Sequence, residues 1–495
     1  MGIEIQQDRF TEGDFVTFKK RLAAGLEALD ILLERPGFGC GERSIGAELE
    51  LFLIDRAGRP LPIGRDVIDA AATPFIGPEM GKFDIELSTP PVKLAGAPFS
   101  ALRAAMHDAV GVIRARARAR EARIVAVSIL PTFRRSDFHP GTITDLSRYR
   151  ALAAGLCRLR GAPFHISIDG EEPLDLVTND VAMEAANTAF QLHMRTETEE
   201  FARVFNAAQM MTAPVLAASG NSPTFLGHKL WQETRVVLFR QAGDDRPPGD
   251  SAKLPLPARI DFGSGWVRDG AAELFKESVA LHAPLLPVCS EDGAVECARS
   301  GGIPELAELR LHHGTVWNWN RPVYDPAGGG HLRVELRALP AGPTLDDMLA
   351  NAAMLVGGIL SLAPTVCDML PSFPFALAER NFYRAARFGL EAELVWPSER
   401  SGAPELVTAR ELCLRLLPQA TEALERAGVE ASEAKRYASI FEARVSSGIT
   451  GAVWQRRTLE SLCESGLERD AALAEMLERY VANFESGRPV HTWRP

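Results

Sequence analysis

The stretch Ile45-Gly46-Ala47-Glu48-Leu49-Glu50-Leu51-Phe52-Leu53 largely alternates between aliphatic and acidic residues. Successive side chains of a strand point to opposite faces. Ile45, Ala47, Leu49, Leu51 and Leu53 therefore share one face, and Glu48 and Glu50 share the other. An aliphatic face belongs against a core, so the two carboxylates stand side by side on the face turned away from it.

The pattern recurs three times. In Lys82 to Thr89, Phe83, Ile85 and Leu87 oppose Asp84, Glu86 and Ser88, and Pro90-Pro91 stops the strand. In Phe164 to Asp169, Phe164, Ile166 and Ile168 oppose His165, Ser167 and Asp169. In Leu332 to Leu339, Leu332, Val334 and Leu336 oppose Arg333, Glu335 and Arg337. A merely solvated sheet face would mix Thr, Lys, Gln and Glu. Here the polar positions are mostly acids, joined by one histidine, two serines and two arginines.

Between these strands the apolar spacing turns helical. Phe15, Phe18, Leu22, Leu26, Leu29 and Leu33 predict a helix over Thr11 to Glu34, ended by Pro36-Gly37. Ala97 to Arg120 reads as helix and Ile124 to Leu130 as a short strand. Thr178 to Asn206 reads as mostly helical, and Trp231 to Gln241 as a further helix. Gly220-Asn221-Ser222-Pro223 is a turn, and Gly243 to Pro257 a loop. From Thr344 onward the spacing is mostly helical. These readings predict an α+β core over residues 1–343, with a helical C-terminal region, residues 344–495, packed on it.

Composition narrows the function. The net charge is 54 − 65 = −11, which excludes a default nucleic-acid binder and suits divalent cations. The seven cysteines form no CxxC pair and are odd in number, so reduced thiols in a cytoplasmic protein are expected. No basic stretch followed by an apolar run opens the chain, and the apolar stretch Met354 to Val366 is too short and interrupted to span a membrane. No GxxxxGK[ST], HExxH or GxSxG motif is present, and Gly37-Phe38-Gly39-Cys40-Gly41 lacks the preceding strand of a dinucleotide fingerprint.

Clustered carboxylates raise each other's pKa unless cations sit among them. Hard oxygen ligands with an added imidazole select Mg²⁺ or Mn²⁺, which in ATP chemistry is shared between carboxylates and phosphates. Arg333 and Arg337 then read as clamps on phosphate or carboxylate.

The ordered set Gly46-Ala-Glu48-Leu-Glu50, Glu86-Leu-Ser-Thr-Pro90, His165-Ile-Ser167, Asn221-Ser222-Pro223 with Arg235 downstream, and Glu335-Leu-Arg337 resembles the glutamate–cysteine ligase family of the glutamine synthetase-like superfamily. The match runs over roughly residues 40–345. The resemblance implies a curved antiparallel sheet with the active site on its concave face, and ATP-dependent activation of the glutamate γ-carboxylate for attack by the amine of cysteine. It implies Glu48, His165 and Glu335 as ligands of the cation among the ATP phosphates, and Glu50 and Glu86 as ligands of a second cation. It further implies Arg337 at the transferring phosphoryl group, Arg337 and Glu50 as the catalytic residues, and Arg235 on the substrate carboxylate. Ser167 and Asn221 fall in its substrate-binding motifs. His312 and the run Trp317-Asn318-Trp319-Asn320 are expected to line the substrate pocket. A related ligase with another acid and amine, a kinase stopping at phosphoryl transfer, and a non-catalytic nucleotide or amino-acid sensor remain open. All take small molecules as partners; none calls for nucleic acid or a membrane, and the oligomeric state is not set by the sequence.

Overall fold

The computed structural model describes residues 4–249, 256–291, 293–398 and 402–494. The loop expected over Gly243 to Pro257 thus lies partly outside the described residues. The strands, in chain order, are β1 (Ser44–Ile54), β2 (Ile76–Pro78), β3 (Asp84–Ser88), β4 (Val92–Lys93), β5 (Arg123–Val125), β6 (Phe164–Ile168), β7 (Leu174–Thr178), β8 (Phe190–Thr196), β9 (Thr224–Phe225), β10 (His228–Lys229), β11 (Asn320–Asp325), β12 (His331–Leu336), β13 (Glu393–Pro397) and β14 (Pro404–Thr408). Eight of them form one curled antiparallel sheet. Its main path is β11-β12-β8-β1-β3-β2, and β4 and β5 also pair with β1.

β1 is central because its eleven residues are long enough to pair on both edges. Residues 45–49 pair with β8 and 52–54 with β5, while 48–52 pair with β3 on the other edge. Leu49, Leu51 and Leu53 are fully buried, as the alternation requires. The helices Pro98–Arg118, Phe201–Ser219 and Leu345–Leu362 pack on strands of the sheet, and Ala409–Arg426 and Ala431–Ser447 add a second layer. Leu345–Leu362 is long and apolar enough to cross a membrane, but 83% of it is buried within the protein, which makes it a core helix. Its N-cap is Thr344, and the chain beyond it adds the β13–β14 hairpin to the helices.

Two expectations are corrected here. Residues 178–206 are not mainly helical: they contain β8, with Phe190, Leu192 and Met194 buried on one face and Gln191, His193 and Arg195 on the other. Helix-forming Ala and Met residues just upstream obscured that period of two. Second, β6 is not in the main sheet. Among the described residues it pairs only with β7, as a separate hairpin, so its polar positions face solvent.

The backbone after β12 passes through a tight node. Gly342 has φ +79°, and a Cβ there would stand 2.2 Å from the Ala126 carbonyl and 2.6 Å from the Tyr480 hydroxyl. Gly342→Ala is expected to cost roughly 2–4 kcal/mol, from left-handed backbone and overpacking together. Denaturant unfolding measures this, and a loss below about 0.5 kcal/mol would contradict the packing described.

Candidate functional site

The strand register assembles the site. Glu50 on β1 lies opposite Glu86 on β3, and Glu48 lies opposite Gln191 on β8. His193, also on β8, lies opposite Glu335 on β12. Four strands thus turn their polar positions into one cavity of about 280 Å³. The carboxylates of Glu48, Glu50, Glu79, Asp84, Glu86, Glu184 and Glu335 all line it.

Two groups of ligand atoms lie within cation-binding reach, each closer than 4.8 Å throughout: Glu48, His193 and Glu335, and Glu50, Glu79 and Glu86. His193 Nε2 lies 3.4 Å from Glu48 and 3.8 Å from Glu335. Its Nδ1 is buried without a hydrogen-bond partner, and so is Asp84 Oδ1. Such orphaned polar atoms are costly unless something binds them. A set of carboxylate oxygens with one imidazole fits Mg²⁺ or Mn²⁺.

Electrostatics divide the cavity. Burial alone would raise Glu335, but Arg321, Arg337 and His193 outweigh it and hold the carboxyl well below its ordinary range. His193 does the same for Glu48. Elsewhere burial wins. It pushes Glu50 up to about 7 against the pull of Arg337, and Glu79 up to about 7 with help from Glu50. Burial and Glu79 push Glu184 up to about 8. Glu86, repelled by Glu48, and Asp84, repelled by Glu79, also lie well above their ordinary values.

Glu50 is held by the Ala189 amide at 2.7 Å and the Gln191 amide at 2.7 Å. Arg337 donates to Glu335 at 3.3 Å and to Gln191. Arg321 is bound to Glu335 through both Nε and Nη2. Arg333 lines the cavity while paired with Asp325 at 3.1 Å.

Of the residues expected from the sequence, Glu48, Glu50, Glu86, Glu335, Arg333, Arg337, Arg235 and Trp317 line the cavity. His165 does not. It is exposed on the β6–β7 hairpin, with Nε2 3.0 Å from Asp175, and His193 stands where His165 was expected. Ser167 is exposed on the same hairpin, its backbone amide and carbonyl bonded to the Gln241 side chain. Asn221 is fully buried outside the cavity, bonded to the Ala341 carbonyl and the Tyr480 hydroxyl. His312 is buried with Nε2 2.9 Å from the Ser278 carbonyl, and the adjacent His313 reaches the cavity instead. Arg235 reaches the wall, but its guanidinium points three of its five donors at protein groups: Glu233 and the carbonyls of Arg337 and Ala338.

His193, Glu79, Glu184, Gln191 and Arg321 were missed by sequence reasoning. His193 and Gln191 were legible as the polar side of the Phe190/Leu192/Met194 alternation. Glu79 and Glu184, outside the long strands, carried no periodic signal.

The profile of glutamate–cysteine ligase family 2 (GCS2) matches residues 44–477. A structure of the glutamate–cysteine ligase of Francisella tularensis in complex with AMP superposes with a TM-score of 0.57, at 11% identity over 90% of each chain. A bifunctional glutathione synthetase from Pasteurella multocida superposes with a TM-score of 0.48, at 12% identity over 95% of this chain and 54% of that one. No curated protein matches by sequence.

A cation that replaces protons on Glu50, Glu79 and Glu86 gains affinity as pH rises. In the metal-free protein the raised carboxyls of Glu50 and Glu79 cost stability progressively from the unfolded value near 4.5 up through about 7, because only the unfolded chain ionises freely there. Bound Mg²⁺ removes that cost. Thermal melts with Mg²⁺ and with EDTA should therefore differ more at pH 8 than at pH 6, and an equal or smaller difference at pH 8 would contradict the assignment.

Proposed function

Given that the chain belongs to glutamate–cysteine ligase family 2, a family of carboxylate–amine ligases, we propose that it is an ATP- and Mg²⁺-dependent enzyme joining an acid, of the glutamate type, to an amine, of the cysteine type. The observation that carries this reading is the pair of ligand clusters in one cavity, with Arg337 bonded to Glu335 and to Gln191, which also bonds Glu50. Phosphoryl transfer needs positioning and charge neutralisation more than a covalent partner.

Glu48, His193 and Glu335 would hold one divalent cation, and Glu50, Glu79 and Glu86 another. When bound, such ions neutralise charge on the phosphates and polarise the oxygens they touch. In the proposed sequence an oxygen of the acid's carboxylate attacks the γ-phosphorus of ATP. The bond to the bridging oxygen breaks, and ADP leaves. The amine nitrogen then attacks the acyl carbon, the acyl–oxygen bond breaks, inorganic phosphate leaves, and the nitrogen gives up a proton. Arg337 offers donors where charge develops on the transferring phosphoryl oxygens. The Gln191 amide keeps Glu50 and Arg337 in register, because it bonds both. His313 and Trp317 form the cavity wall on the Arg321 side, a place where the choice of acid or amine can be made.

The test is ADP release from Mg-ATP over a matrix of acids and amines, with products read by mass spectrometry. Release that requires both an acid and an amine is expected. Glu50→Gln is expected to lower kcat by at least about a hundredfold while leaving the melting temperature within a few degrees. Full activity of Glu50→Gln at saturating Mg²⁺ would remove Glu50 from the machinery. Release without an amine, giving a stable phosphorylated product, would make the protein a kinase.

A further inference from the structure

We infer that Arg235 is a positioning residue, and that through it the C-terminal helices fix the backbone that follows β12, next to Arg337. The inference rests on the proposed role of Arg337 in phosphoryl transfer.

Arg235 is 2% exposed and Glu233 is fully buried. Arg235 Nε donates to Glu233 at 3.0 Å, Nη2 donates to the Ala338 carbonyl at 2.5 Å, and Nη1 reaches the Arg337 carbonyl at 3.5 Å. Its guanidinium also lies 5.1 Å from the centre of the Trp319 ring. The carbonyl of Trp319 accepts the Arg337 amide at 2.9 Å. The Arg337 amide is therefore tied through Trp319, and the backbone just after it is tied through the Ala338 carbonyl to Arg235. A residue held on both sides of its Cα aims its side chain with little freedom, which a phosphoryl-transfer arginine requires.

The same pair is gripped from the C-terminal side. Glu233 accepts the Asn221 amide at 2.7 Å. The Asn221 side-chain nitrogen donates to the Ala341 carbonyl at 2.7 Å and to the Tyr480 hydroxyl at 2.8 Å. Gln455 donates to the Asn221 carbonyl at 3.0 Å and to its side-chain oxygen at 2.9 Å. Tyr480 in turn donates to the Ala126 carbonyl at 2.9 Å and packs against Trp454 and Trp493. Gly451 lies so close that a Cβ there would meet the Asn221 oxygen at 2.1 Å. Residues 451–493 thus hold the Gly220–Pro223 turn. The turn holds Glu233, and Glu233 with Arg235 holds the carbonyls that follow β12.

The experiment uses full-length Arg235→Lys, Tyr480→Phe, the double variant and Arg337→Lys. Hydrogen exchange read by mass spectrometry is the first readout and needs no turnover. Tyr480→Phe should raise exchange about fivefold or more in peptides covering 233–238 and 337–342, leaving 44–54 unchanged. An increase confined to 480–493 would overturn the link. The second readout is ADP release from Mg-ATP, glutamate and cysteine. Arg235→Lys should lower kcat about tenfold, with each KM within about twofold, and Tyr480→Phe should add little to it in the double variant. A tenfold rise in KM for glutamate alone, with kcat unchanged, would instead make Arg235 a substrate clamp. Unchanged kcat in Arg337→Lys, or no turnover by the wild type, counts against the proposed function. The exchange result still decides whether the C-terminal helices hold this backbone.

Discussion

Carboxylates crowded into one buried cavity over a sheet repel one another, and the charged groups around them meet that repulsion. Glu48, Glu50, Glu79, Asp84, Glu86, Glu184 and Glu335 line a single cavity. Two responses are built in. On the β12 side Arg321, Arg337 and His193 offset the charge, so Glu335 stays ionised. On the β3 side there is less compensation, and Glu50, Glu79, Asp84, Glu86 and Glu184 hold their protons to higher pH. Divalent cations bound there would relieve this crowding, whose cost is carried by the apolar packing on the other side of the same strands.

The sheet cannot use its concave face for hydrophobic stabilisation, so the convex face must supply it. Phe201–Ser219 and Leu345–Leu362, both almost wholly buried, provide this cover. The later helices brace these and also reach back to the site through Asn221 and Tyr480.

Much of this was legible in the sequence. Strands such as β1, β3 and β12 announce themselves, because a period of two with acids on one side has no helical reading. Their carboxylates were placed on the right face for the same reason. β6 carried the same pattern, yet hydrogen bonding puts it in a different sheet. Periodicity gives the face of a strand and says nothing about its partner, which is why His165 and Ser167 were assigned to a site they do not reach. β8 failed in the opposite way: its alternation was hidden among residues of high helix propensity, and His193 was lost with it. Glu79 and Glu184 enter the cavity from short irregular segments, where only tertiary packing decides direction. Arg235 was found, but its partners Glu233, Arg337 and Ala338 include backbone carbonyls that no sequence pattern encodes.

The central claim is that this sheet face binds two cations, one of them through His193. Titration with Mn²⁺, followed by electron paramagnetic resonance, tests it most directly. The account predicts two ions bound per chain in the wild type, one in His193→Ala, and two in His165→Ala. Loss of an ion with His165→Ala, or two ions retained without His193, would contradict it.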